Sequence, residues 1–181
     1  MRPPQTRPIN VMLLDDHILI LIGMQNLLVN EPDLRCVASL TSSKGLEQAL
    51  EDNCVDVLVL DFQLQPGDID GLNLIRLLQN QHPKLRLLVI SSLHTPATVA
   101  LALRYGAAGF IGKELPPGEL AQAIRRVASG RVYLHPQMLD ALQTYRDGGG
   151  KLVYLGGNGF YWKIALDPSR DGIIEIRRGE G

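Results

Sequence analysis

The sequence predicts an α/β fold: a (βα)5 doubly wound parallel sheet, strand order 2-1-3-4-5, with a small β-rich C-terminal extension. Two observations predict it. Short runs without polar alternation, Val11–Leu14, Val57–Leu60, Leu87–Ile90 and Gly109–Gly112, are separated by helix-like segments. Such runs read as strands buried on both faces, which requires helices on both sides of a parallel sheet. The second observation is what ends the runs: Asp15-Asp16, Asp61, Ser91-Ser92 and Lys113. In an open parallel sheet the ligand site lies beyond the carboxyl ends of the strands, so these side chains converge.

The elements follow in order. The first strand covers about Asn10–Asp15, and a helix with apolar Ile18, Leu21, Ile22 and Leu28 runs on until Asn30-Glu31-Pro32 stops it. Leu34–Leu40 alternates loosely and suits a strand nearer an edge. Thr41-Ser42-Ser43 offers an N-cap for a helix over Lys44–Glu51. Asp56–Asp61 is the third strand, the loop Phe62–Asp70 carries Pro66-Gly67, and Gly71–Gln81 is helical. Leu85–Ser91 is the fourth strand, and Thr95-Pro96 opens a helix that reaches Tyr105-Gly106. Gly109–Gly112 is a short fifth strand, followed by a helix over Gly118–Ala128 that Ser129-Gly130 ends.

Composition narrows the function classes. A chain of 181 residues builds one good core with a small appendage. A net charge of −1 gives no overall attraction to nucleic acid or an anionic membrane. Residues 1–8 are polar and proline-rich and read as a flexible lead-in without a signal-peptide core. The most apolar stretch, Ile18–Ile22, is too short to span a bilayer. Cys36 and Cys54 lack metal-ligand spacing and read as reduced thiols of a cytoplasmic protein.

Taken singly, an Asp-Asp pair is a solvated turn, an Asp after a strand is a helix cap and a Lys is a surface charge. At the same end of successive strands they form a site. Asp15, Asp16 and Asp61 offer oxygen ligands to a hard cation such as Mg2+. Without a cation their charges raise one another's pKa values. Asp61 as nucleophile would form an acyl phosphate, Lys113 would pair with phosphoryl oxygens and Ser91 would donate a hydrogen bond. His17 either touches this site or starts the following helix, Asp56 reads as structural, and Arg125-Arg126 read as a solvated face and not as phosphate contacts.

With these residues in view, about Ile9 to Pro136 resembles the receiver domain of two-component response regulators of the NarL/FixJ type. The carriers are Leu14-Asp15-Asp16-His17, Leu60-Asp61, Asp70-Gly71, Ile90-Ser91-Ser92, Gly106–Lys113 and Glu119–Ile124. The resemblance implies that Asp61 is the phospho-acceptor and that Mg2+ is held by Asp15, Asp16, Asp61 and the backbone carbonyl of Gln63. It implies that Ser91 and Lys113 read the phosphoryl group, and that Phe110 is an aromatic switch. It further implies a sensor histidine kinase or phosphotransfer protein as partner. One departure stands out: the loop 62–70 is about two residues longer than the family pattern, with Pro66 one place late.

The first helix is apolar nearly all round, through Ile18, Leu19, Ile20, Leu21, Ile22 and Met24. Such a helix is normally buried. A homodimer surface is therefore expected on helix 17–29, joined by Ala121, Ile124 and Ala128 of helix 118–128.

After His135-Pro136 the composition shifts, with tyrosines and the single tryptophan concentrated beyond Tyr133. The division is thus 1–8, 9–136 and 137–181. In the last segment Met138–Tyr145 reads as a helix, and Lys151–Leu155, Phe160–Leu166 and Ile173–Arg177 as strands. No helix-turn-helix with a basic recognition helix is legible there, so DNA binding is not expected of this chain alone. Instead the segment resembles part of the large subunit of N,N-dimethylformamidase, carried by Gly149–Trp162, with its Tyr-Leu-Gly-Gly-Asn-Gly-Phe-Tyr-Trp run, and by Ile173–Arg178. That family's enzyme uses iron. The match is too short to transfer hydrolysis or iron ligation to Tyr154, Tyr161 or Glu175. Three readings stay open: a receiver acting through protein contacts, a LuxR/NarL-type regulator whose DNA-binding part is missing or replaced, and a receiver fused to a hydrolase fragment.

Overall fold

Each apolar run is a strand of one sheet in the computed structural model, which describes residues 7–92, 95–114, 116–147, 162–166 and 174–178. The chain alternates β1 (Ile9–Leu14), α1 (Ile18–Val29), β2 (Leu34–Leu40), α2 (Leu46–Asp52), β3 (Val57–Asp61), α3 (Gly71–Gln81), β4 (Arg86–Ser91), α4 (Pro96–Arg104), β5 (Gly109–Gly112) and α5 (Pro117–Ala128). Then come β6 (Tyr133–Leu134), α6 (Pro136–Asp147), β7 (Trp162–Leu166) and β8 (Ile174–Arg178).

The sheet order is β2-β1-β3-β4-β5-β6, all parallel. The predicted order 2-1-3-4-5 therefore holds, with one strand added. Two residues carry too little periodicity to announce a strand, so β6 was invisible in the sequence; it pairs Tyr133 with Gly109 and Leu134 with Phe110. β7 and β8 pair antiparallel, Trp162 with Arg178 and Leu166 with Ile174. The expected strand Lys151–Leu155 lies outside the described residues.

The pleat divides the core in two. Val11, Leu13, Val57, Val59, Leu88, Ile90 and Ile111 face α1 and α5. Met12, Leu14, Leu58, Leu60, Leu87, Val89 and Phe110 face α2, α3 and α4. α6 packs on α4, and its Met138 and Leu139 join this second core.

Three expectations need correction. Ala121 and Ile124 are not on a contact surface: they are 5% and 0% exposed, packed under α1. Arg125 is not merely a solvated side chain. Its guanidinium grips Asp33 (2.8 and 2.7 Å) and Glu31, tying α5 to the turn between α1 and β2. The bond to Arg125 holds the Asp33 carboxyl below its usual range.

The third concerns α2, which starts at Leu46 and not at Lys44. Gly45, at φ 83°, provides the left-handed entry. The serines expected to cap it are used elsewhere. Ser42 Oγ accepts from the Lys44 amide at 3.1 Å, while Ser43 donates to Asp68 through both its amide (3.0 Å) and its hydroxyl. Asp68 belongs to the longer loop, so those extra residues are pinned to the loop after β2. Burial works against the Asp68 charge, but these bonds and the Ile69 amide at 2.8 Å outweigh it and hold the carboxyl below its usual range.

Candidate functional site

The residues that end the strands meet at one place. Asp15 directly follows β1, and its amide donates to the Leu40 carbonyl at 3.1 Å. Asp61 is the last residue of β3 and Ser91 the last of β4. Lys113 directly follows β5, with its amide donating to the Ser91 carbonyl at 3.1 Å. Strand pairing alone thus sets these backbones side by side, before any side-chain contact.

Asp15 is 0% exposed and Asp61 1%. Two buried carboxylates repel, and each pays for lost hydration. The compensation comes from Lys113, whose Nζ lies 2.7 Å from Asp15 Oδ2 and 2.8 Å from Asp61 Oδ2. Burial pushes the Asp61 pKa up, and the neighbouring Asp15 adds to that; Lys113 and the Gln63 amide, 3.1 Å from Asp61 Oδ1, only partly offset it. Burial opposes the Lys113 charge too, but the two carboxylates outweigh it and hold the ammonium above its usual pKa.

Asp16 is half-buried beside this pair, and His17 follows at the start of α1. The His17 amide donates to Asp15 Oδ1 at 2.8 Å. Its ring Nδ1 lies 3.2 Å from Asp15 Oδ1 and 2.9 Å from Asp16 Oδ1. Of the two readings weighed for His17, its side chain touches the site and its carbonyl also starts the helix, accepting from the Ile20 and Leu21 amides.

A cation fits this arrangement by an observation independent of the charge count. Asp16 Oδ1 is a buried oxygen without a hydrogen bond, and Asp15 Oδ2, likewise shielded from water, has only the Lys113 ammonium, which it shares with Asp61. A buried carboxylate oxygen is costly unless a donor or a cation meets it. Ligand atoms of Asp15, Asp16, His17 and Asp61 lie within 4.8 Å of one another.

The remaining predicted residues fall into two groups. Ser91 is fully buried at the site edge. Phe110 is fully buried on the other face of the sheet, its ring 6.2 Å from that of Phe62, which directly follows Asp61. Asp56 is away from the site: its carboxylate accepts from the Asn10 amide at 2.9 Å and pairs with Arg7 at 2.7 Å, joining the starts of β1 and β3. What the sequence reading missed is the Ser43–Asp68 link. Its only local sign was the lengthened loop, and no spacing rule connects residues 25 apart.

Comparison with known proteins agrees with this geometry. Residues 11–125 match the response regulator receiver domain family. The transcriptional regulatory protein UhpA of Salmonella typhimurium is 38% identical over 139 residues, covering 76% of this chain and 68% of the relative. The DNA-binding transcriptional activator DevR/DosR of Mycobacterium tuberculosis is 32% identical over 136 residues, covering 75% of this chain and 62% of the relative. Among solved structures, a LuxR-family two-component response regulator from Aurantimonas is 26% identical with a TM-score of 0.72, covering 77% of this chain and 99% of that one. Residues 133–181 match a second family, N,N-dimethylformamidase beta subunit-like, C-terminal. Among the described residues no helix is long and apolar enough to cross a membrane. A parallel sheet in the order 2-1-3-4-5-6, acids, serine and lysine gathered at its carboxyl edge, and a family match over most of that sheet lead to one conclusion: this chain belongs to the receiver domains of two-component response regulators, related to the LuxR/NarL-type regulators.

Proposed function

We propose that Asp61 accepts a phosphoryl group from a sensor histidine kinase or a phosphotransfer protein, and that the receiver then changes its protein contacts. The observation that carries this reading is the Lys113 ammonium shared between two buried carboxylates, Asp15 and Asp61. An Asp61 oxygen attacks phosphorus, the bond from phosphorus to the donor nitrogen breaks, and an acyl phosphate forms. Asp15, Asp16, Asp61 and the Gln63 carbonyl hold Mg2+, which when bound offsets negative charge on the transferring group. Lys113 stays within reach of the new phosphoryl oxygens, and the Ser91 hydroxyl donates to another. Movement of Ser91 along β4 is coupled to Phe110, because Val89 on β4 is paired with Phe110 on β5. Hydrolysis of the acyl phosphate is the only hydrolytic chemistry in this reading, and its setting is cytoplasmic.

The receiver comprises 9–136 after a lead-in of 1–8, and 137–181 is an extension whose first helix docks on the receiver core. A second copy of the chain is the partner proposed for α1, where Ile18, Leu19, Ile22 and Val29 are 61, 82, 47 and 82% exposed.

The test is labelling with phosphoramidate and Mg2+. Asp61→Asn should abolish labelling and Asp56→Asn should keep it; equal labelling of both variants would sink the assignment. The match of 133–181 to the formamidase family favours one further reading, a LuxR/NarL-type regulator whose effector part is replaced. Sequence-specific retardation of duplex DNA by the phosphorylated chain would count against a receiver acting through protein contacts alone.

A further inference from the structure

We propose that His17 is a ligand of the acidic site and makes it take borderline transition ions far better than three carboxylates would. The inference rests on reading that site as a cation site, and it concerns which ion the site prefers. The distances carry it. In an octahedral shell with bonds of about 2.1 Å, neighbouring ligand atoms are about 3.0 Å apart. His17 Nδ1 lies 2.9 Å from Asp16 Oδ1 and 3.2 Å from Asp15 Oδ1. These are the separations of adjacent ligands around one ion.

The ring nitrogen is within hydrogen-bond reach of Asp15 Oδ1 and meets Asp16 Oδ1 without a directed hydrogen bond, so an ion entering between the carboxylates would take the nitrogen's lone pair in place of the contact to Asp15. Asp15 is fully buried, and its Oδ2 faces the Lys113 ammonium that it shares with Asp61. The imidazole itself is 64% exposed, so an entering ion reaches it from solvent.

The donor set decides the preference. Carboxylate, carbonyl and water oxygens suit Mg2+, Ca2+ and Mn2+, whereas imidazole suits Co2+, Ni2+ and Zn2+. Mg2+ gains little from a nitrogen donor and keeps its waters. Losing His17 therefore weakens a transition ion selectively.

Isothermal titration of the full chain with Co2+ and with Mg2+ tests this, with the visible Co2+ bands as a second readout of nitrogen ligation. The variant is His17→Gln. It leaves intact the backbone carbonyl that starts α1, so the fold is kept, as its far-UV circular dichroism should show. Co2+ affinity should fall at least tenfold and the Co2+ bands should shift, while Mg2+ affinity changes less than twofold. Equal Co2+ binding by wild type and variant overturns the role of His17 and leaves the cation site standing. An equal loss for both ions also overturns it, because a general disturbance of the acids would do that. Failure of wild type to bind either ion, or Mg2+ binding unaltered in Asp15→Asn, overturns the cation site itself and His17 with it.

Discussion

Lys113 Nζ lies 2.8 Å from Asp61 Oδ2, yet the Asp61 carboxyl still titrates above its usual range. At Asp61 burial outweighs the ammonium, so keeping this carboxyl charged costs folding free energy. Asp61→Asn should therefore stabilise the protein in metal-free buffer, by about 1 kcal/mol, the size of a typical stabilising change. The sign in pH follows. With the folded pKa above 3.8, the native state binds more protons than the unfolded state between the two values, and stability falls as pH rises through that window. Urea midpoints at neutral pH check the gain; a lower midpoint for the variant would refute it.

Asp68 behaves in the opposite sense. Its folded pKa lies below 3.8, so its contribution is present above 3.8 and is lost as pH falls through the lowered value. Ser43→Ala removes the hydroxyl bond and leaves the two amide donors. The cost should be about 1 kcal/mol at neutral pH, the typical net worth of such a bond. The deficit should shrink below pH 3.8 in a series of chemical denaturations. A deficit independent of pH would show that the serine matters for packing only.

Asp70-Gly71, part of the family pattern, has a physical reason in this fold. Asp70 caps α3 by accepting from the Leu72 and Asn73 amides at 3.0 and 3.2 Å. A Cβ on residue 71 would sit 2.3 Å from the Phe62 carbonyl oxygen. Backbone cannot step aside as a side-chain end can, so Gly71→Ala should cost about 1–3 kcal/mol. It should also slow labelling of Asp61, because Phe62 is the next residue. Thermal denaturation and a phosphoramidate time course read the two effects separately.

Helix α1 makes the fourth prediction. Leu19 is 82% exposed and contributes little to the core. Leu19→Glu should leave the denaturation midpoint within about 0.5 kcal/mol of wild type, as for other surface changes. If α1 contacts a second copy, the variant should sediment as a monomer at concentrations where wild type does not. Wild type sedimenting as a monomer with and without a phosphoryl analogue would end the proposal.

The fold was legible because buried parallel strands leave all-apolar runs, and the site because its members sit at the ends of those runs. Asp15, Asp61, Ser91 and Lys113 needed only the register of neighbouring strands. What escaped was tertiary. Nothing local distinguishes Arg125, which grips Asp33 and Glu31, from Arg126 beside it. The direction of Ala121 and Ile124 depended on how α5 is rotated against α1. Ser43 fits a capping pattern, but a distant Asp68 competes for it.

The two-residue strand β6 has a practical consequence for anyone dissecting the chain. It occupies the open hydrogen-bonding edge of β5 at Gly109 and Phe110, while Met138 and Leu139 roof the core above Val99 and Ala102. A fragment cut at 128, where the last receiver helix ends, would bare an unpaired apolar edge of the kind that recruits strands from other molecules. A piece that keeps this flank closed runs to Asp147, the end of α6, and so carries the first fifteen residues of the stretch that resembles the formamidase family.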